Sequence, residues 1–214
     1  GTLVSGIIGG LYSSTATISV LARKSRKASE QEATDYVAAM LLAVSMMFLR
    51  FMILILIFSR EIFLSIYPYL LTMAVVAAIV AWFIHSRQKR PEDQSAETEE
   101  DDSSNPLEFK VALIFAVLFV IFTFLTHYTL VYAGTGGLNL LSFVSGFSDI
   151  TPFILNLLQN TGSVAALIIT ACSMQAIISN IMVNMFYALF FAGKGSKLRP
   201  WILGGFGVVI ACNL

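Results

Sequence analysis

Apolar residues run along this chain in long unbroken stretches, not in stripes. A bilayer core about 30 Å thick takes about 20 residues of helix. Seven stretches meet or approach that length: 1–22, 35–59, 67–86, 107–132, 138–159, 163–192 and 200–214. Strand-like alternation is missing from them, so they predict helices and not a β-barrel. The expected fold is all-α, a polytopic transmembrane helix bundle of about seven spans. Residues 87–106 break the pattern, with seven carboxylates between Glu92 and Asp102 and no apolar period. That composition predicts a solvated acidic linker. It divides the chain into a first transmembrane repeat, 1–86, and a second, 107–214. Both chain ends lie inside apolar stretches and the first residue is Gly1. A piece of a longer chain is therefore expected.

Composition agrees with this class. The chain has 214 residues, 57% hydrophobic and 12% charged, against roughly 25% charged in a soluble domain. A soluble fold of this size cannot hide so much apolar surface. Lys plus Arg and Asp plus Glu number 13 each, which leaves no basic face for nucleic acid. Cys172 and Cys212 both lie in apolar runs and read as small buried hydrophobes. No phosphate loop, nucleophile elbow or zinc helix motif occurs, so no catalytic constellation and no enzyme is expected.

Basic clusters set the orientation. Arg23, Lys24, Arg26 and Lys27 follow the first stretch, and Arg87, Lys89 and Arg90 follow the third. Two spans separate them, so both face the cytoplasm under the positive-inside rule, with the linker. Lys194, Lys197 and Arg199 form a third cluster. It falls outside if 138–159 crosses fully, and inside if 138–159 is re-entrant.

The halves resemble each other. Gly9 to Ala16 can be laid on Ser145 to Pro152 at a constant shift of 136. In each half a polar knot interrupts an apolar span, an Ala-Ala pair opens the next (Ala38-Ala39, Ala165-Ala166), and a further span begins near Pro68 or Pro200. Broken central helices in repeats are a transporter design. With full crossing the repeats would be parallel. The first half lacks a counterpart to 107–132, which implies one more span before Gly1.

Polar residues at membrane depth are the candidate chemistry. Asp149 lies 11 residues after Leu138 and 10 before Gln159, about 15 Å from either end of its stretch. A carboxylate there costs a few kcal/mol, roughly, unless paired, hydrated or protonated. Ser145, Ser148 and Thr151 offer oxygen ligands beside it, and Gly146 and Pro152 free backbone groups. Such a set suits a hard cation such as Mg²⁺, or a protonation switch. The counterpart knot holds Ser13, Ser14, Thr15 and Thr17, with Ser13 opposite Asp149. Gly6-x-x-x-Gly10 before it also reads as a helix-packing face. Arg50 lies deep in its span and must face a partner. A structural ion pair with Asp149 and an anion-binding role are both open. Ser173, Asn180 and Asn184 share a stripe on the sixth span. His85 and His127 read as interfacial.

The knots, together with Leu21 to Arg26, Met47 to Arg50, Asn105 to Glu108, Ser179-Asn180 and Gly204 to Phe206, resemble the membrane family called domain of unknown function 4010. The resemblance covers nearly the whole chain in order. It implies a multi-pass inner (plasma) membrane protein, an upstream MgtC/SapB-type membrane domain as partner, and a link to Mg²⁺ transport. Where that family's pattern has a second acid, this chain has Thr151; where it has a lysine, Asn184.

The function these readings predict is a transporter or channel-like permease for a small inorganic ion, with a cation such as Mg²⁺ first. Its midplane site would lie between the repeats. Asp149 is the expected charged or metal ligand. Ser13, Ser14, Thr15, Ser148 and Thr151 are expected as hydroxyl ligands, Asn180 completes the shell, and Arg50 is charge partner or gate. Mg²⁺ enters only as the transported ion, and no cofactor is expected. The lipid bilayer is the surrounding partner, and a homo-oligomer is a further expectation. The alternatives are an anion or small-solute transporter using Arg50, and a regulatory or scaffold subunit that moves nothing.

Overall fold

The computed structural model describes residues 1–26, 28, 30–87, 106–160, 164–192 and 198–212. The acidic linker thus lies almost wholly outside the described residues. Every regular element among the described residues is helical: α1 Thr2–Ser25, α2 Glu30–Phe58, α3 Arg60–Ser86, α4 Pro106–Ser145, α5 Thr151–Gln159, α6 Ala166–Ala192 and α7 Arg199–Ala211. The chain forms two compact units, Gly1–Ser95 with Ile181–Leu214, and Ala96–Asn180.

Five helices are long and apolar enough to cross a membrane: α1, α2 from Glu32, α3, α4 over Ala116–Gly134, and α6. Their outward faces are as apolar as their inward ones. Ile57, Trp82, Tyr132 and Leu167 are each at least 70% exposed. A helix hydrophobic all round needs lipid or a core on every side. The protein is a polytopic helical membrane protein.

In the first unit, α2 and α3 make a tight antiparallel hairpin through one residue. Ser59 is extended (φ −154, ψ 107) and its side chain caps α3 by accepting from the Ile62 N–H. Along the pair, the Ser45 hydroxyl donates to the Ala74 carbonyl at 2.8 Å. At the open end, His85 Nδ1 lies 2.7 Å from Asp35 Oδ1. Residue numbers that fall as their partners rise are the mark of antiparallel helices. The α7 helix packs on this hairpin, with Gly205 against Leu41 and Ile84.

The same serine corner occurs inside α1, and it corrects the expected first span. Ser13 has φ −155 and ψ 107, and its hydroxyl accepts from the Ala16 N–H at 3.4 Å. A Cβ on Gly9 would stand 2.5 Å from Thr17 Oγ1. Eight residues of straight helix would separate them by about 12 Å, so the chain doubles back at Ser13. The first arm, 2–12, then runs parallel to α2. Gly6 packs on Ala39 and Gly10 on Ala43, partners that rise together. Residues 1–22 are therefore two arms of about 17 Å each, half a bilayer, and not one crossing.

The second unit repeats the device. Gly134 breaks α4 with φ 58 and ψ −147, a conformation that suits glycine alone. Gly137 then lies against Thr129 and Ala133, so the short arm Gly136–Ser145 returns along the long one. The chain turns again over 146–150. Were 136–159 straight, α5 would lie far beyond the middle of the long arm. Instead Phe153 packs on Phe122 and Asn156 donates to Thr123 at 2.8 Å, which is the level of the short arm itself. Residues 138–159 form a second hairpin, the shape that the re-entrant alternative requires. With 1–22 and 138–159 both folded back, the expected seven spans are too many.

Candidate functional site

Each hairpin ends in a polar tip held against a long helix. In the first unit the tip is Tyr12-Ser13-Ser14. Gly10 reaches Ala43, near the middle of the 29-residue α2. That contact has no room for a side chain: a Cβ on Gly10 would lie 2.5 Å from the Ala43 Cα. Breaking a helix strips the last carbonyls of the first arm of their intrahelical donors. Arg50 supplies one, its Nη1 donating to the Tyr12 carbonyl at 2.7 Å. Helix side chains lean toward their own N-terminus, which brings a guanidinium from about one turn beyond back to the tip. Ser14 is buried, Ser13 and Thr15 are half-buried, and the Ser19 hydroxyl donates to the Thr15 carbonyl.

In the second unit the tip is Gly146 to Ile150. Gly146 sits against the Ser179 side chain and the Asn180 backbone, midway along α6. The Ser179 hydroxyl donates to the Phe143 carbonyl. Asn180, 3% exposed, donates from Nδ2 to the carbonyls of Gly146 at 3.1 Å and Ser148 at 3.4 Å. The Ser145 and Ser148 hydroxyls donate to the Ser142 and Ser145 carbonyls; Ser145 is buried and Ser148 half-buried. Asp149 is exposed on its unit, and its Oδ1 accepts from the Thr151 N–H at 2.9 Å. The carboxylate therefore satisfies the first N–H of α5 from one residue before its N-cap, Ile150, where the helix dipole favours negative charge.

The structure thus brings Ser148, Asp149, Thr151 and Asn180 together at one tip, and Ser13, Ser14, Thr15 and Arg50 at the other. Arg50 and Asp149 belong to different units, and each has a partner in its own. No group of three or more His, Cys, Asp or Glu able to hold a metal occurs among the described residues. The second tip offers one carboxylate with neutral oxygens. Ser173 and Asn184, on the stripe with Asn180, are fully buried.

Sequence reasoning missed the Asp35–His85 contact. The two residues lie almost equidistant from Ser59, and that symmetry was the available signal. It placed Arg23 in a basic cluster but missed its contact with Phe191, whose ring the guanidinium covers at 4.4 Å. Nothing in the chain's order announces that contact.

No solved structure matches this chain. A protein of Aquifex aeolicus (strain VF5), described as an uncharacterized protein, is 25% identical over 217 residues, covering 99% of this chain and 91% of its own length. The family model for the domain of unknown function DUF4010 matches residues 1–192, and the chain belongs to that family.

Proposed function

We propose that the protein is a transporter or channel-like permease for a small inorganic ion, with a cation as first substrate. The observation that supports this reading is the pair of half-bilayer hairpins whose polar tips stand at mid-height of α2 and α6. Irregular backbone at membrane depth is stable only where protein or a hydrated cavity surrounds it. Asp149 is the charged ligand, joined by the oxygens of Ser148 and Thr151, while Asn180 holds the tip that presents them. The Ser13, Ser14 and Thr15 tip is its neutral counterpart. Exposure of Asp149 on its own unit favours a wetted group over one sealed in a static scaffold. Mg²⁺ is one candidate in the panel, and an upstream membrane domain of MgtC/SapB type is a candidate neighbour.

The test is flux in liposomes across mono- and divalent cations. Asn keeps an acceptor oxygen for the Thr151 N–H, so Asp149→Asn removes charge but keeps that hydrogen bond. Loss of cation flux with folded protein retained supports the reading; unchanged flux removes Asp149 from it. One observation favours a second reading, anion transport. Arg50 and the N-terminus of the second α1 arm place positive charge at one tip. Flux of anions that survives Asp149→Asn and fails in Arg50→Met would select it.

A further inference from the structure

The contacts carry a topology that neither the span count nor the family match supplies. In the first unit the arm 2–12 lies beside α2 with partners 33 residues apart, Gly6 with Ala39 and Gly10 with Ala43. In the second the arm Gly136–Ser145 and the Gly146 that follows it lie beside α6 with the same offset, Asn139 with Cys172 and Gly146 with Ser179. Gly10 and Ala43 become Gly146 and Ser179 at the shift of 136 that aligns the two polar knots. Each half is therefore arm, tip, returning arm and long helix, in that order. In each, a side chain of the long helix donates to a tip carbonyl at the same place under the shift of 136: Arg50 to Tyr12, Asn180 to Ser148 within the turn.

A hairpin returns to the face it started from, whereas a long helix changes face. The α1 hairpin starts and ends at the face where α2 begins. From there α2 crosses and α3 crosses back, so α3 ends at the starting face, and α4 begins there because the sequence between them has no apolar run to cross with. The long arm of α4 crosses once, and the α4–α5 hairpin therefore starts from the opposite face. The α6 helix then returns to the first. An independent contact agrees with this count: Phe191, in the last turn of α6, lies under Arg23 in the last turn of α1. The same count removes the conflict over the third basic cluster, since the chain leaves α6 at the face that carries Arg23 and Arg87. Arg23, Arg87 and Arg199, at the ends of α1 and α3 and the start of α7, then obey the positive-inside rule.

We infer that the α1 hairpin and the α4–α5 hairpin are re-entrant from opposite faces of the membrane, an inverted repeat with one tip-latched hairpin per face. The α1 hairpin is cytoplasmic. Arg50 and Asn180 act as positioning residues that hold each tip closed on its long helix. This replaces the parallel repeat expected from full crossing, and it gives each side of the membrane its own gate in the sense of alternating access. It deepens the transport reading, but its test reads topology and not flux, so the two can fail separately.

Single cysteines at Thr2, Lys24, Gly136 and Gln159 are made in a background with Cys172→Ala and Cys212→Ser. Each is exposed to an impermeant maleimide in intact cells and again after permeabilisation. Labelling of Gly136→Cys and Gln159→Cys from outside, with Thr2→Cys and Lys24→Cys labelled only after permeabilisation, is the expected result. A pair split between the two faces means that its segment crosses, and this overturns the proposal. Both pairs on one face also overturn it, because the repeat would then be parallel. Ser5→Cys and Leu138→Cys replace any first-arm position that fails to express. Tip cysteines at Ser14 and Ser148 test the latches. Arg50→Leu is expected to raise labelling at Ser14→Cys several-fold from the cytoplasmic side alone, and Asn180→Leu that at Ser148→Cys from outside alone. Latch variants that leave both tip rates unchanged would remove the latch role.

Discussion

Gly10 lies so close to Ala43 that a Cβ on it would sit 2.5 Å from the Ala43 Cα. Small residues allow such backbone approach where apolar side chains gain nothing over lipid. The contact fixes the depth of the α1 tip on α2, and through it the place where Arg50 meets Tyr12.

Gly10→Val should therefore lower stability by about 1–3 kcal/mol, the usual scale of overpacking, because the obstacle is backbone and cannot swing aside. Gly204→Ala is the control, since its Cβ would meet open space. Thermal unfolding in detergent should show a clear drop for the first and little change for the second. Equal unfolding temperatures would mean that α1 does not pack at this depth.

Asp149 performs two tasks that substitution can separate. Asp149→Ala removes both the hydrogen bond to the Thr151 N–H and the charge and should cost about 1 kcal/mol of stability. Asp149→Asn keeps an acceptor for that N–H, so its unfolding midpoint should stay near that of the unaltered protein while cation flux falls. A flux loss in the alanine variant alone would make the residue a support for the start of α5 and nothing more.

Ser13 and Ser59 turn the chain with the same dihedral angles and the same cap three residues on. Ser13→Ala and Ser59→Ala should each destabilise by about 1 kcal/mol, and Ser13→Asn or Ser59→Asn should restore most of it. Denaturation of the four variants side by side checks this. A Ser13→Ala protein as stable as the original would mean that the corner is held by the Gly10 contact alone.

The Asp35–His85 pair closes the open end of the α2–α3 hairpin at 2.7 Å, with each side chain 31% exposed. Partly exposed pairs are worth about 0–1 kcal/mol. His85→Gln should thus be nearly neutral for global stability. Its effect should be local, seen as faster hydrogen exchange at the start of α2 and the end of α3. Unchanged exchange there would show that packing around Ile84 and Leu41 holds the end closed without the pair.

The sequence by itself determined the class and the chemistry of the tips. Apolar runs of bilayer length leave helices in lipid as the sole way to satisfy the backbone, and the polar knots stand out because hydroxyls and Asp149 are costly at that depth. The shift of 136 between the knots was also legible, since it is a matter of order along the chain. What the sequence could not decide is whether a knot lies within a crossing or at the point of a reversal. Hydropathy is the same for 22 residues laid straight and for two arms of half that length folded together. That choice rests on close packing at Gly6, Gly10 and Gly146, on one extended serine, and on a positive φ at Gly134, which are properties of partners far apart in the chain. Tertiary structure alone therefore turned two expected spans into hairpins. With them changed the number of helices left to cross the membrane, because a folded pair of short arms spans only half its thickness.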